Sequence, residues 1–285
     1  MKIRVLGAFG GEGLGHRPSS FLVNDKILVD GGSVAGALTV PQQLAIEHAI
    51  VSHAHLDHVA GLIYLTETLA FCEVGAAVTI NAIDPVITTL RSNVFNNSLW
   101  PDFSKIPHPD VPVVKFRTLI EDVEQRVSDL WVTPIAVNHS VPATGLVIHD
   151  ASSAVIYSGD TGPTEALWRT ARTLRGLRAI ILECAFPNRL GPLAQVAKHM
   201  TPALIRRELD KLPPDVPIWI FHVKPQFHEE IGEELARIDS RRISILEQDR
   251  TSTLSPCAGR PRCGGRRGGS VPCPVPHATR ARRSF

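Results

Sequence analysis

Residues 50–61 read IVSHAHLDHVAG and crowd His53, His55, Asp57 and His58 into six positions. Polar groups this dense are costly to bury, roughly 2–7 kcal/mol for each one left without a partner. The run AIVS ahead of them has strand character. DHVAGLIYLTETLAF behind them predicts a helix, with Val59, Leu62, Ile63, Leu69 and Ala70 at helical spacing and Thr66 interrupting the stripe. His53 and His55 then lie in a loop leaving a strand, and Asp57 and His58 open the next helix. Imidazole nitrogens and carboxylate oxygens are donors for zinc and similar divalent ions. The spacing differs from H-E-x-x-H, which sets both histidines on one helical face, and it can serve two ions.

More donors wait at the ends of later apolar runs: His139 after IAVN, Asp160 after AVIYSG and His222 after PIWIF. Strand chemistry also marks KIRVLGA, SSFLVN, KILVD, AVTINA, VVKFRTL, RVSDLWVTPIAVNH, TGLVIHD, AIILECAF and RISILEQ. Asn24-Asp25 predicts a hairpin turn. Helices are expected over PQQLAIEH, DPVITTLRSNVF, EALWRTAR, TPALIRRELDKL and EEIGEELARI. Two strand-rich halves, each joined to helices, predict an α/β fold of two packed mixed β-sheets with helices on the outer faces. GGEGLGHR misses the G-x-G-x-x-G spacing and runs into a strand, so it reads as a glycine-rich loop and not a dinucleotide site.

Charge divides the chain unevenly. Through residue 250 there are 23 basic and 28 acidic residues, about −5, whereas the segment 251–285 holds seven arginines and no acid, about +7. That segment is rich in Gly and Pro with few apolar residues, which predicts a disordered basic tail after a domain spanning 1–250. It also reads like out-of-frame sequence appended to a shortened final strand. An acidic domain argues against broad nucleic-acid binding except through that tail. The five cysteines are scattered and odd in number, against a disulfide framework and for a reducing compartment. With no secretion signal and no apolar run near 18 residues, a cytoplasmic protein without a membrane partner is expected. Monomer and homodimer both stay open. Cys184, in an apolar run, reads as a packed core thiol.

HAHLDH followed by His139, Asp160 and His222 resembles the metallo-β-lactamase superfamily, an αββα sandwich that binds two metals between its sheets, over roughly residues 1–250. The resemblance implies that His53, His55 and His139 hold one metal, that Asp57, His58 and His222 hold the other, and that Asp160 bridges them. Asp30 in LVDGG matches the superfamily's early aspartate, implying a buried supporting residue. Asp160 stands where many β-lactamases of this fold carry Cys. The C-terminal tail is unlike the helical domain of glyoxalase II-type thioesterases. The set of seven also resembles the ribonuclease Z family, an RNA-processing alternative, but only 20 residues separate His139 from Asp160, too few for that family's substrate arm. HLDHVAGLI (55–63), LWP (99–101), GDTGP (159–163), ECAFPN (183–188), KHMTPALIRREL (198–209) and HVKP (222–225) are similar to class II cyclic-nucleotide phosphodiesterases. That likeness implies a phosphodiester hydrolase of small 3′,5′-cyclic nucleotides, such as cAMP to 5′-AMP. It implies two divalent ions, Zn²⁺ first and Mn²⁺ or Fe²⁺ as alternatives, and attack by a metal-bridging hydroxide. His199 is the candidate proton donor to the leaving oxygen, and Asp57 counts among the catalytic groups as well as the ligands. Lys224 is the candidate phosphate contact and Trp100 the candidate base platform. Glu183 is expected to support the site from behind.

Overall fold

A computed structural model of the chain describes residues 1–72, 75–238 and 242–254. Two seven-stranded sheets face one another. The first runs β14-β1-β2-β3-β4-β5-β6, formed by β1 (Lys2–Gly7), β2 (Ser20–Val23), β3 (Ile27–Gly31), β4 (His48–Ile50), β5 (Val78–Ala82), β6 (Val114–Thr118) and β14 (Thr251–Thr253). The second runs β13-β12-β11-β10-β9-β8-β7, formed by β7 (Gln125–Val127), β8 (Leu130–Ala136), β9 (Thr144–His149), β10 (Ala154–Tyr157), β11 (Leu177–Glu183), β12 (Ile218–Phe221) and β13 (Ile243–Ile245). Both are mixed: β1–β3 and β7–β10 pair antiparallel with their neighbours, and the crossovers β3–β6 and β10–β13 pair parallel.

Burial on both faces explains why the strands read as continuous apolar runs. Along β3, Ile27 and Val29 point between the sheets while Leu28 points outward under helices. Along β11, Ala179 and Ile181 enter the inter-sheet core while Ile180 and Leu182 enter the layer beyond it. Successive side chains alternate faces, so a strand covered on both sides needs apolar residues throughout. The outer layers are α1 (Val40–Leu44), α2 (Leu56–Cys72) and α3 (Asp84–Asn93) on the first sheet. On the second lie α4 (Ala166–Thr173), α6 (Pro202–Glu208) and α7 (His228–Ala236), with α5 (Gly191–Ala197) preceding α6 in the chain. The expected αββα sandwich is the fold observed.

Several local readings change. RVSDLWVTPIAVNH is two antiparallel strands, because Ser128 adopts φ 55° and turns the chain between β7 and β8. The helix expected over PQQLAIEH stops at Leu44, and its last residue instead begins β4. Helix α5 was not anticipated; Gly191-Pro192 looks like a turn, yet proline fits a first helical turn. Thr66 does not interrupt α2, since it is buried with its hydroxyl donating 2.7 Å to the Ile63 carbonyl. Thr251–Thr253, which the sequence assigns to the tail, adds a strand beside β1. The part of that segment from residue 255 on, with Cys257, Cys263 and Cys273, lies outside the described residues. Cys184 is buried and without a disulfide, as its apolar run implied. Among the described residues no helix is long and apolar enough to cross a membrane.

Candidate metal centre

The seven donors converge where strands of both sheets end. His53 and His55 follow β4 and precede α2, His139 follows β8, Asp160 follows β10 and His222 follows β12. Parallel crossovers leave loops at the carboxyl ends of strands, which is where such a fold collects its functional groups. Helix α2 can reach this edge because Gly61 lets it approach β3. A Cβ there would lie 2.7 Å from both the Gly31 carbonyl oxygen and the Val34 nitrogen. Gly10 does the same for His222, whose ring and carbonyl oxygen would each meet a Cβ at 2.6 Å. His222 itself has φ 62°, a left-handed conformation seldom held by a residue with a side chain, and its N–H donates to the Ala8 carbonyl at 2.6 Å.

Two donor groups emerge. His53, His55, His139 and Asp160 each offer an atom within 4.8 Å of the others, and so do Asp57, His58 and His222. His55 Nδ1 lies 3.1 Å from His53 Nε2 and 3.2 Å from His139 Nε2. Asp160 belongs to both neighbourhoods: its carboxylate is 3.4 Å from His53 Nε2, 3.3 Å from His58 Nε2 and 3.1 Å from His222 Nδ1. Even so, Asp160 Oδ1, His58 Nε2 and His222 Nε2 are buried without a properly aligned hydrogen bond. Buried polar atoms are ordinarily paired, and here three of them point into one space. A divalent cation fits this donor set.

Hydrogen bonds behind the cluster fix which nitrogens face inward. Asp30 is fully buried and accepts from the Ser52 N–H (2.7 Å), the Ser52 hydroxyl (2.8 Å), His58 Nδ1 (2.7 Å) and the Tyr157 hydroxyl (2.6 Å). With His58 Nδ1 bound to Asp30, Nε2 is the nitrogen turned toward the cluster, the one a metal would take. Ser52 Oγ lies 3.0 Å from His53 Nδ1, and the Lys198 carbonyl 3.3 Å from His139 Nδ1, leaving Nε2 of each turned inward. Lys198 also donates from Nζ to the His139 carbonyl at 2.9 Å. Asp30 was legible as a supporting residue; Ser52, Tyr157 and Lys198 were not, although Ser52 adjoins the motif.

Burial, aided by the charge of His53, lowers the pKa of His139 to about 3. Burial and His53 act likewise on His55, and burial on His222, all favouring the neutral, ligating imidazole. For His58 burial opposes protonation, but Asp160 and Asp30 outweigh it and raise its pKa. Burial also disfavours an ionised Asp160, yet His222, His58 and His53 hold it well below the carboxylate range. A carboxylate pulling a positive charge onto the group beside it is what a cation at this position would relieve.

His199 stands apart from the ligands. It stacks on His222 at 5.3 Å and meets His139 edge-on at 5.1 Å. Its Nδ1 lies 2.8 Å from Glu183 Oε1. Glu183 is fully buried and anchored by the N–H groups of Thr161, Ala185 and Met200. Burial works against a charged His199, but Glu183 raises its pKa above the usual value. Distance alone would admit His199 as a ligand beside Asp160 and His222. Its Nδ1 is engaged by Glu183, which leaves one ring nitrogen free. Lys224 reaches the edge of the centre, with Nζ 3.7 Å from Asp57 Oδ2. Trp100 does not join the cluster. It packs edge-on against Tyr64, two turns or roughly 10 Å along α2 from Asp57, with its indole nitrogen buried. Its side chain is partly buried against the core of the first sheet's outer layer.

The profile of the β-lactamase superfamily domain matches residues 27–221. The chain belongs to the β-lactamase superfamily. Among superfamily relatives, the Yersinia pestis protein named "Probable 3′,5′-cyclic-nucleotide phosphodiesterase" is 26% identical, across 83% of this chain and 81% of its own. The Aliivibrio fischeri 3′,5′-cyclic-nucleotide phosphodiesterase is 27% identical, across 73% and 74%. The crystal structure of unliganded yeast PDE1 superposes with a TM-score of 0.74 at 20% identity, covering 88% of this chain and 98% of that one. The likeness places the chain's donors in a superfamily hydrolase of metallo-β-lactamase fold, with a His/Asp site suited to divalent metal.

Proposed function

We propose that the chain is a dinuclear metal-dependent phosphodiesterase that opens 3′,5′-cyclic nucleotides, cAMP among them, to 5′-nucleotides. The observation that carries this reading is the Asp160 carboxylate lying between the two donor groups, within 3.4 Å of His53, His58 and His222. The names of the two bacterial relatives support the substrate class. His53, His55 and His139 would hold one ion, Asp57, His58 and His222 the other, and Asp160 would serve both, with Zn²⁺ the first candidate for a His/Asp set and Mn²⁺ or Fe²⁺ the alternatives. Bound there, such ions supply Lewis acidity to the phosphoryl oxygens and an activated water.

The chain's own groups do the rest. Lys224 places a cation beside Asp57, where a phosphoryl oxygen can meet it. His199, its Nδ1 tied to Glu183, turns its other nitrogen toward the centre and gives a proton to the departing 3′-oxygen. Asp30 holds His58, and through Ser52 steadies His53, so the ligands need little rearrangement. An RNA-processing role is not favoured: the span between His139 and Asp160 is occupied by the β9–β10 hairpin, without an extended arm. A cytoplasmic location belongs to the same proposal. Incubation with 3′,5′-cAMP and chromatography of the products tests it. Formation of 5′-AMP that disappears in Asp160→Ala is the expected result; intact cAMP at every metal loading would overturn the reading.

A further inference from the structure

A cleft of about 610 Å³ opens beside His199, between α5 and α6 on one side and the loop after Asp160 on the other. Its volume is that of a site for one small molecule. His199 is only 8% exposed and lies at the inner end, while Pro163, Pro192, Gln195 and Arg207 are exposed toward the mouth. Pro192 and Gln195 are three apart on α5, and Ala203 and Arg207 four apart on α6, so each pair shares a face and both faces line the cleft. Pro163 and Leu204 add apolar wall. Asn138 forms part of the opposite side, its amide held by the Pro163 carbonyl at 3.3 Å.

The position of His199 decides what can enter. It packs on His139 and His222 at the inner end of the cleft, so a substrate whose phosphate sits at the metal centre continues past it into the adjoining space. In a cyclic nucleotide the 3′-oxygen carries the ribose and, through it, the base. A base has apolar faces and a polar edge. The cleft has apolar walls of proline and leucine, with an amide and a guanidinium near its mouth.

Resting on the phosphodiesterase reading, we propose that this cleft is the purine subsite, in which Pro163, Pro192 and Leu204 cover the base faces while Arg207 and Gln195 meet its edge. The fixed fork of a guanidinium matches O6 and N7 of guanine, and the amide of Gln195 matches N6 and N7 of adenine. Arg207 is a specificity residue here and takes no part in bond cleavage.

Equilibrium binding to the metal-loaded protein tests the assignment without requiring turnover. Dissociation constants would be measured for 5′-GMP, 5′-AMP and ribose 5-phosphate, the last lacking a base. The wild type should bind at least one purine nucleotide about 10-fold or more tighter than ribose 5-phosphate. Arg207→Ala and Gln195→Ala should each shrink that advantage about 5- to 100-fold, with ribose 5-phosphate affected less than twofold. Arg207→Lys should not restore it. Equal binding of all three ligands by the wild type overturns the subsite, as does full rescue by Arg207→Lys, which would mark simple attraction to phosphate. Tight purine binding without hydrolysis of any cyclic nucleotide would retain the subsite and reject the phosphodiesterase reading, so the two fail separately.

Discussion

Replacing Asp30 by Asn changes one atom and should uncouple the metal centre from the sheet behind it. Asp30 Oδ1 accepts the Ser52 N–H, and Oδ2 accepts from the Ser52 hydroxyl, the Tyr157 hydroxyl and His58 Nδ1. An asparagine keeps the first bond through its carbonyl and presents an NH₂ group to the other three. The two hydroxyls can rotate and accept. His58 Nδ1–H cannot, and must either lose its partner or move its proton to Nε2, the nitrogen needed by a metal. One hydrogen bond to a charged group is worth about 1.5–3 kcal/mol. At roughly 1.4 kcal/mol per decade, that is about a 10- to 100-fold loss of metal affinity, in the range expected when a partner behind a ligand is removed. Competition between the metal-free protein and a chromophoric chelator measures it. Tyr157→Phe is the control, since it removes one hydroxyl and leaves the Asp30–His58 bond in place; its affinity should stay within about threefold. Wild-type metal affinity in Asp30→Asn would refute the argument that this hydrogen bond sets the ligating nitrogen.

Other expectations concern the acid, the close packing and the loops. His199→Asn keeps a donor for Glu183 but has no proton to give, so kcat for cyclic nucleotides should fall about 10²- to 10⁴-fold while bound metal, assayed by elemental analysis, is unchanged. Gly10→Ala would set a Cβ 2.6 Å from His222, and should weaken metal binding measured by the same chelator competition; an unchanged affinity would show that the β1–β2 loop gives way freely. The third concerns Asp102, where burial alone would raise the pKa. Hydrogen bonds from Lys105 and Ser104 prevail and lower it below the ordinary value. Its stabilising contribution is therefore complete above the unfolded value of about 3.9 and is lost as pH falls through the lower folded one. Melting curves should show wild type above Asp102→Asn by a constant margin near neutrality that closes at low pH, and a margin independent of pH would contradict this.

Much of the site was legible because the superfamily motif is local. Four candidate donors fall in six residues, and the other three each end an apolar run, where a strand delivers them to one edge with its backbone fixed. The sandwich was legible for the related reason that strands covered on both faces must be apolar at successive positions, as Ile27, Leu28 and Val29 are. What escaped depends on tertiary partners. Tyr157 reaches Asp30 across 127 residues, and Thr251–Thr253 has no apolar pattern because its pairing with β1 is carried by backbone hydrogen bonds. Trp100 sits in a block similar to the phosphodiesterases, yet only the fold reveals that it packs on Tyr64 of α2. Ser128 has no glycine or asparagine to advertise its left-handed turn.

The most direct test of the two-metal account is to strip the protein with a chelator and titrate Zn²⁺ or Mn²⁺ back while following cAMP hydrolysis. Activity that rises from nothing and reaches its maximum at about two equivalents per chain is the predicted result. Full activity at one equivalent, or hydrolysis that survives removal of all metal, would contradict it.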